Sequence, residues 1–403
     1  MSYALNRYFD PLYGRVALTE FEFALIRSPE FQRLRYIRLC NINSMLISGA
    51  SEISRFEHCL GVLRLAKEWL AAHPLNENDE KAFIAAALLH DLQTGPFGHS
   101  FQYILEDNQV EGNFLHDDIV HGYRSQYHQS LLASASFAGH AFSVRRQLGE
   151  NLWQLVGNLI RGIGPLGALI SGSLDLDNID NVIRLAFHVG IVNASDRDLP
   201  LKLTRDLRPD GEVFSISMDG VTLIEKWQAI RRRLYELLLL DWAEFSAKGM
   251  LTRALEIATE HKIIGSESWL LTDDELISHL DQHSTGDQQD IREFVRRLRV
   301  GDLYTPIILL RSSSTHLYNE IATINRKRDL EARLIKTIKK RAGVPVKLFI
   351  HFILDKRKTD RSVKVVVRPG SITQTIGVDS NSLLIGVFSS KPASVNVRSM
   401  LEN

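Results

Sequence analysis

The chain has 403 residues, of which 44% are hydrophobic and 24% charged, enough for one large domain or a main domain with a smaller one. Its formal net charge is zero, so no overall attraction draws it to nucleic acid or to a membrane surface. Cys40 and Cys59 form no zinc-binding or CxxC pattern, and no apolar run approaches the roughly 18–20 residues of a membrane helix. We therefore expect a cytoplasmic protein without disulfide bonds and without a membrane partner.

Helical patterns dominate the first three quarters of the chain. Ser28 and Pro29 predict the start of an arginine-rich helix, and residues 55–72 form an amphipathic helical pattern that Pro74 ends. A long helical stretch over residues 227–261 is predicted to bend near Gly249. Further helical patterns cover residues 80–92, 127–134, 148–161, 166–171 and 179–189, and two shorter helices lie within residues 266–298.

Patterns typical of strands are few. They cover residues 212–217, 346–354 and 363–367, where residues alternate or are β-branched. We therefore predict a mainly α fold. Its helical core covers residues 1–310, and a small α/β subdomain covers residues 311–403.

The predicted C-terminal subdomain is strongly basic, since residues 326–368 hold 15 Lys or Arg against 4 Asp or Glu, a net charge of +11. One interpretation is a solvated helix face beside a charged hairpin edge that resists sheet-to-sheet association. The other is a surface that binds nucleotide phosphates or nucleic acid. Its aromatic residues, Phe349 and Phe352, lie in an apolar strand, which argues against stacking on single-stranded bases.

Candidate metal ligands lie on three predicted helices. His90 and Asp91 are adjacent at the end of an apolar run, His58 lies near the start of helix 55–72, and Asp177 precedes helix 179–189. Imidazole nitrogen and carboxylate oxygen are both metal ligands, and burying such groups without a partner is costly. This mixed set suits iron, manganese, zinc or magnesium, ions that bind phosphate oxygens and lower the pKa of water. The pattern therefore predicts hydrolysis at phosphorus.

Several blocks of the sequence carry a resemblance to a known family. RFEHCLGV, ALLHDLQTGPFGHSF and LDLDNIDNVIRLAFHVGI resemble the HD-domain phosphohydrolase superfamily, and FDPLYG and SPEFQRLRYIRL resemble its deoxynucleoside triphosphate triphosphohydrolase branch. The resemblance implies the helical HD fold and one or two divalent metal ions. It also implies hydrolysis of a deoxynucleoside triphosphate to a deoxynucleoside and triphosphate.

The resemblance further implies roles for the metal-binding and catalytic residues. His99 matches a histidine placed as general acid at the leaving oxygen, a role that imidazole can fill near neutral pH. His128 matches a histidine near the second metal and the phosphates. The residues that match the metal ligands are His58, His90, Asp91 and Asp177.

Three further residues match positions that contact nucleotides or are candidates to do so. Arg55 matches an arginine that contacts the substrate, and guanidinium groups can grip phosphate through two hydrogen bonds. Tyr235 matches a tyrosine that packs on the sugar. Arg35, together with the basic C-terminal region, is a candidate contact for a nucleotide effector.

Other positions depart from the family pattern. Thr94 replaces a histidine, Gln102 replaces a carboxylate, and Leu39 stands where a glutamine contacts the sugar hydroxyl. Four further positions also differ from the family. Asn178 replaces a phosphate-binding lysine, and Asn181 replaces a tyrosine. Leu185 replaces an aspartate, and Trp227 replaces an arginine. These replacements put recognition of the sugar in question, because leucine cannot hydrogen-bond a hydroxyl.

Asp180 lies three residues after the candidate ligand Asp177, and we expect it to cap its helix or to pair locally. Beyond the site, the resemblance implies a homo-oligomer, control by nucleotides, a preference for dGTP, and a role in nucleotide balance or antiviral defence. Two alternatives remain. One is a nuclease or phosphodiesterase for DNA, RNA or a cyclic nucleotide. The other is a non-catalytic nucleotide-sensing subunit that keeps its metal for stability.

Overall fold

The computed structural model describes residues 6–40, 53–132, 143–211, 213–283, 289–342, 346–370 and 372–390. The fold is mainly helical, which confirms the predicted fold class. The α-helices are α1 (Glu20–Ile26), α2 (Pro29–Gln32), α3 (Arg55–Ala72), α4 (Glu77–Leu89), α5 (His99–Asp107), α6 (Tyr123–Leu132), α7 (Val144–Ile160), α8 (Gly167–Ile170), α9 (Leu176–His188), α10 (Leu199–Asp206), α11 (Met218–Leu240), α12 (Trp242–Glu260), α13 (Asp273–His283), α14 (Gln289–Val300), α15 (Tyr318–Ile321) and α16 (Ile324–Ala342). Short 3₁₀ segments cover Arg33–Tyr36, Ala194–Asp196, Ser266–Leu270 and Thr315–Leu317.

The strands form small sheets at the edges of the helical body. In the described residues, their orders are β1-β2, β3-β4-β7-β8 and β5-β9-β6. The strands are β1 (Arg7–Asp10), β2 (Gly14–Ala17), β3 (Arg208–Asp210), β4 (Val213–Ser217), β5 (Thr305–Ser312), β6 (Leu348–Leu354), β7 (Val363–Arg368), β8 (Ile372–Ile376) and β9 (Leu383–Ser389).

The central core is built on α3, α4, α7, α9 and α11. Helix α3 begins where the Ser54 side chain accepts a hydrogen bond from the backbone N–H of Glu57. Helix α9 begins where Asp175 accepts one from the N–H of Asn178. These caps fix the first turns of both helices, and the predicted metal ligands His58 and Asp177 lie in those turns.

The C-terminal strands are integrated with the rest of the fold. Strand β7 pairs in parallel with β4, and its residues Val363, Val365 and Val367 belong to the same buried core as α3. Strand β5 crosses residue 310 and pairs with β9. The division of the chain at residue 310 remains a prediction. Strands from the two predicted parts pair with each other, and residues of both parts pack in one buried core.

The prediction of one long helix over residues 227–261, bent near Gly249, is wrong in one respect. The structure has two helices, α11 and α12, and the break lies at Asp241 instead of Gly249. The Asp241 side chain caps α12 by accepting hydrogen bonds from the backbone N–H groups of Ala243 and Glu244. Gly249 lies inside α12, where Phe349 packs closely against its backbone.

None of the helices in the described ranges combines the length and apolar character that crossing a membrane requires.

Gly61 marks the close approach of α3 to α9, and its substitution gives the first prediction. A methyl group there would overlap the Arg184 guanidinium and the Asp180 carboxylate. We expect Gly61→Ala to lower the free energy of unfolding by about 1–3 kcal/mol, measured by chemical denaturation. Gly265→Ala is the control, because its added methyl group meets no atom within 4 Å. Equal stability of the two variants would contradict the packing described here.

Candidate active site

Three of the predicted metal ligands meet between α3, α4 and α9. The Nε2 atom of His90 lies 3.3 Å from Nε2 of His58 and 3.9 Å from Oδ1 of Asp177. The Nε2 of His58 lies 2.9 Å from the same Asp177 oxygen. Their ligand atoms all lie within 4.8 Å of one another, which is close enough to bind one ion.

Asp91, the fourth predicted ligand, joins this group through His90. Its Oδ2 lies 3.7 Å from Nε2 of His90 and is buried without a hydrogen-bond partner among the described residues. Its Oδ1 accepts hydrogen bonds from Arg55 at 2.6 Å and Thr94 at 3.1 Å. A buried carboxylate oxygen without a partner beside two imidazoles is the donor set that a divalent cation fits.

Protonation of His58 reports the negative charge around it. Burial alone would lower the pKa of His58, but hydrogen bonds to Asp177 and Asp180 outweigh burial and raise that pKa to about 9. The described residues therefore attract a positive charge at this point. A proton or a metal cation can supply that charge, and the two compete for the same imidazole.

Asp180 contacts the ring nitrogen of His58 that does not face the other metal-ligand candidates. Its Oδ2 lies 2.8 Å from Nδ1 of His58, on the ring side away from the other ligands. It also accepts hydrogen bonds from Tyr13 at 2.8 Å and from the Nε of Arg184 at 2.9 Å. The expected local pairing is thus correct for Arg184 but incomplete, because Asp180 also contacts a residue 122 positions away. A carboxylate behind a ligating imidazole fixes its tautomer and orientation.

His99 begins α5 and lines the same cavity as the metal-ligand candidates. Its Nδ1 lies 3.2 Å from the amide oxygen of Gln102, and its ring packs edge-to-face on His116 at 4.5 Å between centroids. Burial, with the positive charges of His116 and Arg55, lowers the pKa of His99 to about 4. At neutral pH the ring is uncharged, with its proton on Nδ1 and a lone pair on Nε2.

The cavity has a volume of about 330 Å³, within the range of small-molecule sites. One part of its wall carries the metal-ligand candidates and His99. Another part carries positively charged groups from α11 and from the segment between β6 and β7, namely Arg231, Lys358 and Arg361. Lys358 and Arg361 belong to the basic region 326–368, whereas the sequence analysis did not single out Arg231. The apolar lining comes from Leu39, Ile160, Ile170, Leu185, Leu238, Leu239, Phe245 and Ile353.

The remaining predicted residues fall into different places. Arg55 and Tyr235 line the cavity. Arg35 is exposed outside the cavity, where its guanidinium lies 3.5 Å from the ring centroid of Phe56. His128 belongs to α6, but its side chain lies outside the described part of the chain.

Most of the departures from the family pattern also fall in or beside the cavity. Leu39, Asn178, Asn181 and Leu185 line it, while Thr94 and Gln102 contact Asp91 and His99. Trp227 is fully buried in the core.

Residues 55–160 match the family model described as the HD domain. This part of the chain is similar to the HD domain. The matched region contains His58, the His90–Asp91 pair and His99.

The chain is also similar to several curated proteins over part of its length. The uncharacterized protein YwfO of Bacillus subtilis is 27% identical over 257 residues, covering 62% of this chain and 55% of YwfO. Deoxynucleoside triphosphate triphosphohydrolase SAMHD1 of Danio rerio is 26% identical over 316 residues, covering 68% of this chain and 49% of SAMHD1. The chain thus spans about half the length of the curated relatives it matches.

Solved structures share the fold over nearly the whole chain. A phosphohydrolase from Bacteroides thetaiotaomicron superposes with a TM-score of 0.67 at 17% identity, covering 94% of this chain and 99% of its own. A hypothetical protein from Aquifex aeolicus gives a TM-score of 0.65 at 20% identity, with coverages of 98% and 99%. At these identities, the similarities establish the fold of the chain and nothing beyond it.

Removing the carboxylate behind His58 tests the metal-site geometry. We expect Asp180→Asn to weaken Mn²⁺ binding by about 10–100-fold, because the amide cannot hold the imidazole as a carboxylate does. Isothermal titration calorimetry measures the affinity. Asp198→Asn makes the same substitution at an exposed aspartate and is expected to leave the affinity unchanged. Unchanged Mn²⁺ affinity in Asp180→Asn would show that this carboxylate does not support the site.

A third prediction concerns the protonation of His99. We expect Gln102→Glu to raise the pKa of His99 by at least about one unit, because a carboxylate at Nδ1 favours the charged imidazole. Titration of the His99 ring by NMR measures the shift. Tyr103→Phe alters the ring stacked on His99 without adding charge and is expected to leave this pKa within about half a unit. A pKa that stays near 4 in Gln102→Glu would mean that this contact does not govern His99.

Proposed function

We propose that this protein is a metal-dependent hydrolase of nucleotide phosphoesters, and that its substrate is a deoxynucleoside triphosphate. The observation that supports this most directly is one cavity that combines three features. They are a cluster of metal-ligand candidates, a neutral histidine beside it, and a positively charged wall. The similarity to a deoxynucleoside triphosphate triphosphohydrolase supports the same substrate class.

The apolar lining suits the nucleoside end of such a substrate. Leu39 is buried at the cavity wall, and Tyr235 offers an aromatic face. Neither the Leu39 side chain nor the neighbouring Ile170 can hydrogen-bond a sugar hydroxyl. We therefore expect this wall to discriminate weakly between sugars. A site selects for a hydroxyl when one of its own polar groups loses its hydrogen-bond partner in the absence of that hydroxyl.

The reaction would add the oxygen of water to the α-phosphorus and break the bond from that phosphorus to the 5′-oxygen. The products are a deoxynucleoside and triphosphate, and the 5′-oxygen gains a proton. A bound divalent metal would supply positive charge to a phosphate oxygen and lower the pKa of water. His58, His90, Asp91 and Asp177 would hold it.

His99 would deliver the proton to the 5′-oxygen from Nε2, because Gln102 occupies Nδ1. Its pKa of about 4 in the free protein leaves it uncharged at neutral pH. The negative charge of a bound polyphosphate offsets the charges of His116 and Arg55 and favours uptake of a proton. Binding of the substrate would therefore generate the acid that its cleavage requires.

The alternative of a phosphodiesterase or nuclease draws on a separate surface. Arg333, Lys336, Lys339 and Lys340 are exposed along α16, where they could contact a nucleic-acid backbone. Control by nucleotides, oligomerisation, a preference for dGTP and a role in nucleotide balance or antiviral defence remain predictions from the family resemblance.

Product analysis tests the proposal. Purified full-length protein with Mn²⁺ is incubated with each deoxynucleoside triphosphate, alone and in pairs, and separately with single-stranded DNA. We expect deoxynucleoside and triphosphate in equal amounts, with no product from Asp177→Ala. His99→Asn is expected to lower kcat by about 10²–10⁴-fold with little change in KM, because it removes the proton donor.

His261→Asn is the matched control, since His261 is exposed at the end of α12 and does not line the cavity. Shortened DNA with intact deoxynucleoside triphosphates would replace the proposal with the nuclease alternative. Absence of any turnover, alone or with paired nucleotides, would favour the nucleotide-sensing alternative.

A further inference from the structure

We propose that Arg231, Lys358 and Arg361 form a polyphosphate-binding wall, by which the cavity selects ligands with a chain of phosphates over those with one. The wall combines α11 with the segment between β6 and β7. Its place in catalysis rests on the proposed function, whereas its binding of a polyphosphate requires no turnover.

Arg231 is a buried cation, and none of the carboxylates in the described ranges forms a salt bridge with it. Its side chain is 2% exposed, and its Nε and Nη1 atoms have no hydrogen-bond partner among the described residues. Its Nη2 lies 3.4 Å from the carbonyl oxygen of Arg357, and its guanidinium lies 4.6 Å from the centroid of the Tyr235 ring. Two donors of a buried guanidinium thus remain for a ligand in the cavity that Arg231 lines.

Arg361 and Lys358 stand near Arg231 on the same wall. The Nη1 of Arg361 lies 3.4 Å from two neutral oxygens, Oδ1 of Asn178 and the carbonyl of Ser173. Lys358 and Arg361 form no salt bridge with a residue in the described ranges. Positive charges near one another without anionic partners are costly, so an anion that joins them is favourable.

The backbone between β6 and β7 forms a turn whose hydrogen bonds fix the position of Lys358. Lys356 and Arg357 have φ values of 43° and 65°, in the left-handed region that residues with side chains rarely adopt. Asp355 fixes this turn, because its side chain accepts a hydrogen bond from the N–H of Thr359 and its carbonyl accepts one from the N–H of Lys358, both at 2.9 Å. Consecutive left-handed residues persist where surrounding contacts require them.

Other basic residues of the C-terminal region differ from this wall. Salt bridges with acidic residues of α10, α12 and α14 are formed by Lys327, Arg328, Lys347 and Arg368. Their charge is therefore matched within the protein. The three wall residues differ because they line the cavity and form no salt bridge with a residue in the described ranges.

The wall lies beside the candidate chemistry. Arg361 contacts Asn178, which follows the metal-ligand candidate Asp177, and Lys358 lines the same cavity as His99. A phosphate held between Asp177 and His99 would therefore direct the rest of its phosphate chain along the wall. Arginine pairs bidentately with phosphate and lysine acts as a point charge, so the two types complement each other here.

Calorimetric titration of the full-length protein with inorganic tripolyphosphate, pyrophosphate and phosphate tests the wall directly. We expect tripolyphosphate to bind at least tenfold more tightly than phosphate. Lys358→Gln and Arg361→Gln should each weaken tripolyphosphate binding at least tenfold and phosphate binding less than threefold. Lys358→Arg, which keeps the charge, should stay within threefold of the parent protein.

Lys364→Gln is the matched control, because Lys364 lies exposed on β7, outside the cavity lining, and loses the same charge. Equal affinity for phosphate and tripolyphosphate would overturn the proposal. It would also be overturned if Lys364→Gln weakened tripolyphosphate binding as much as Lys358→Gln. An oligonucleotide that competes fully with tripolyphosphate would also overturn it, since the selected ligand would then be a phosphodiester chain.

Turnover separates this inference from the proposed function. If deoxynucleoside triphosphates are cleaved, we expect the Lys358→Gln and Arg361→Gln variants to raise KM at least tenfold and to change kcat less than threefold. Cleavage with unchanged KM would overturn the wall and leave the proposed function standing. Selective tripolyphosphate binding without any cleavage would support the wall and overturn the proposed function.

Discussion

The buried ion pair between Asp180 and Arg184 is the constraint on which the geometry of the site depends. Arg184 is fully buried and also contacts Asp10 at 2.9 Å and Glu57 at 2.6 Å. It thus joins α9 to the first strands and to α3. Separating these elements would leave a buried charge without its partner, at a cost of roughly 3–5 kcal/mol. Because the Nδ1 of His58 contacts Asp180, the position of the metal-ligand candidates depends on this network of ion pairs.

Local sequence patterns predicted the helices that carry the cluster, and the reason is physical. Helix α3 has a serine cap, a continuous apolar face and a proline after its end, so its bounds match the predicted 55–72. The ligand candidates His58 and Asp177 sit in first turns, whose position a cap fixes. Their role in binding a metal remains a prediction, but their convergence in space could be expected from the sequence.

Contacts across long stretches of chain were the ones that sequence reasoning missed. The contact of Asp180 with His58 joins residues 122 positions apart, although its three-residue spacing from Asp177 was a usable signal, since such residues share a helix face. Arg231, Lys358 and Arg361 carried no motif. They meet because β4 pairs in parallel with β7 and brings the C-terminal region onto α11, and strand pairing of this kind is not encoded in a local pattern.

The parallel pairing of β4 with β7 also sets an order of events during synthesis. About 180 residues separate Asp180 from Arg361, so at roughly 5–20 residues per second the ribosome completes the cluster about 10–40 s before the wall. His58, His90, Asp91 and Asp177 are therefore synthesised before Lys358 and Arg361. Non-local pairing is slow to form, which lengthens this interval. A chain at that stage has the metal-ligand candidates but lacks two of the cations that we propose would hold a polyphosphate beside them.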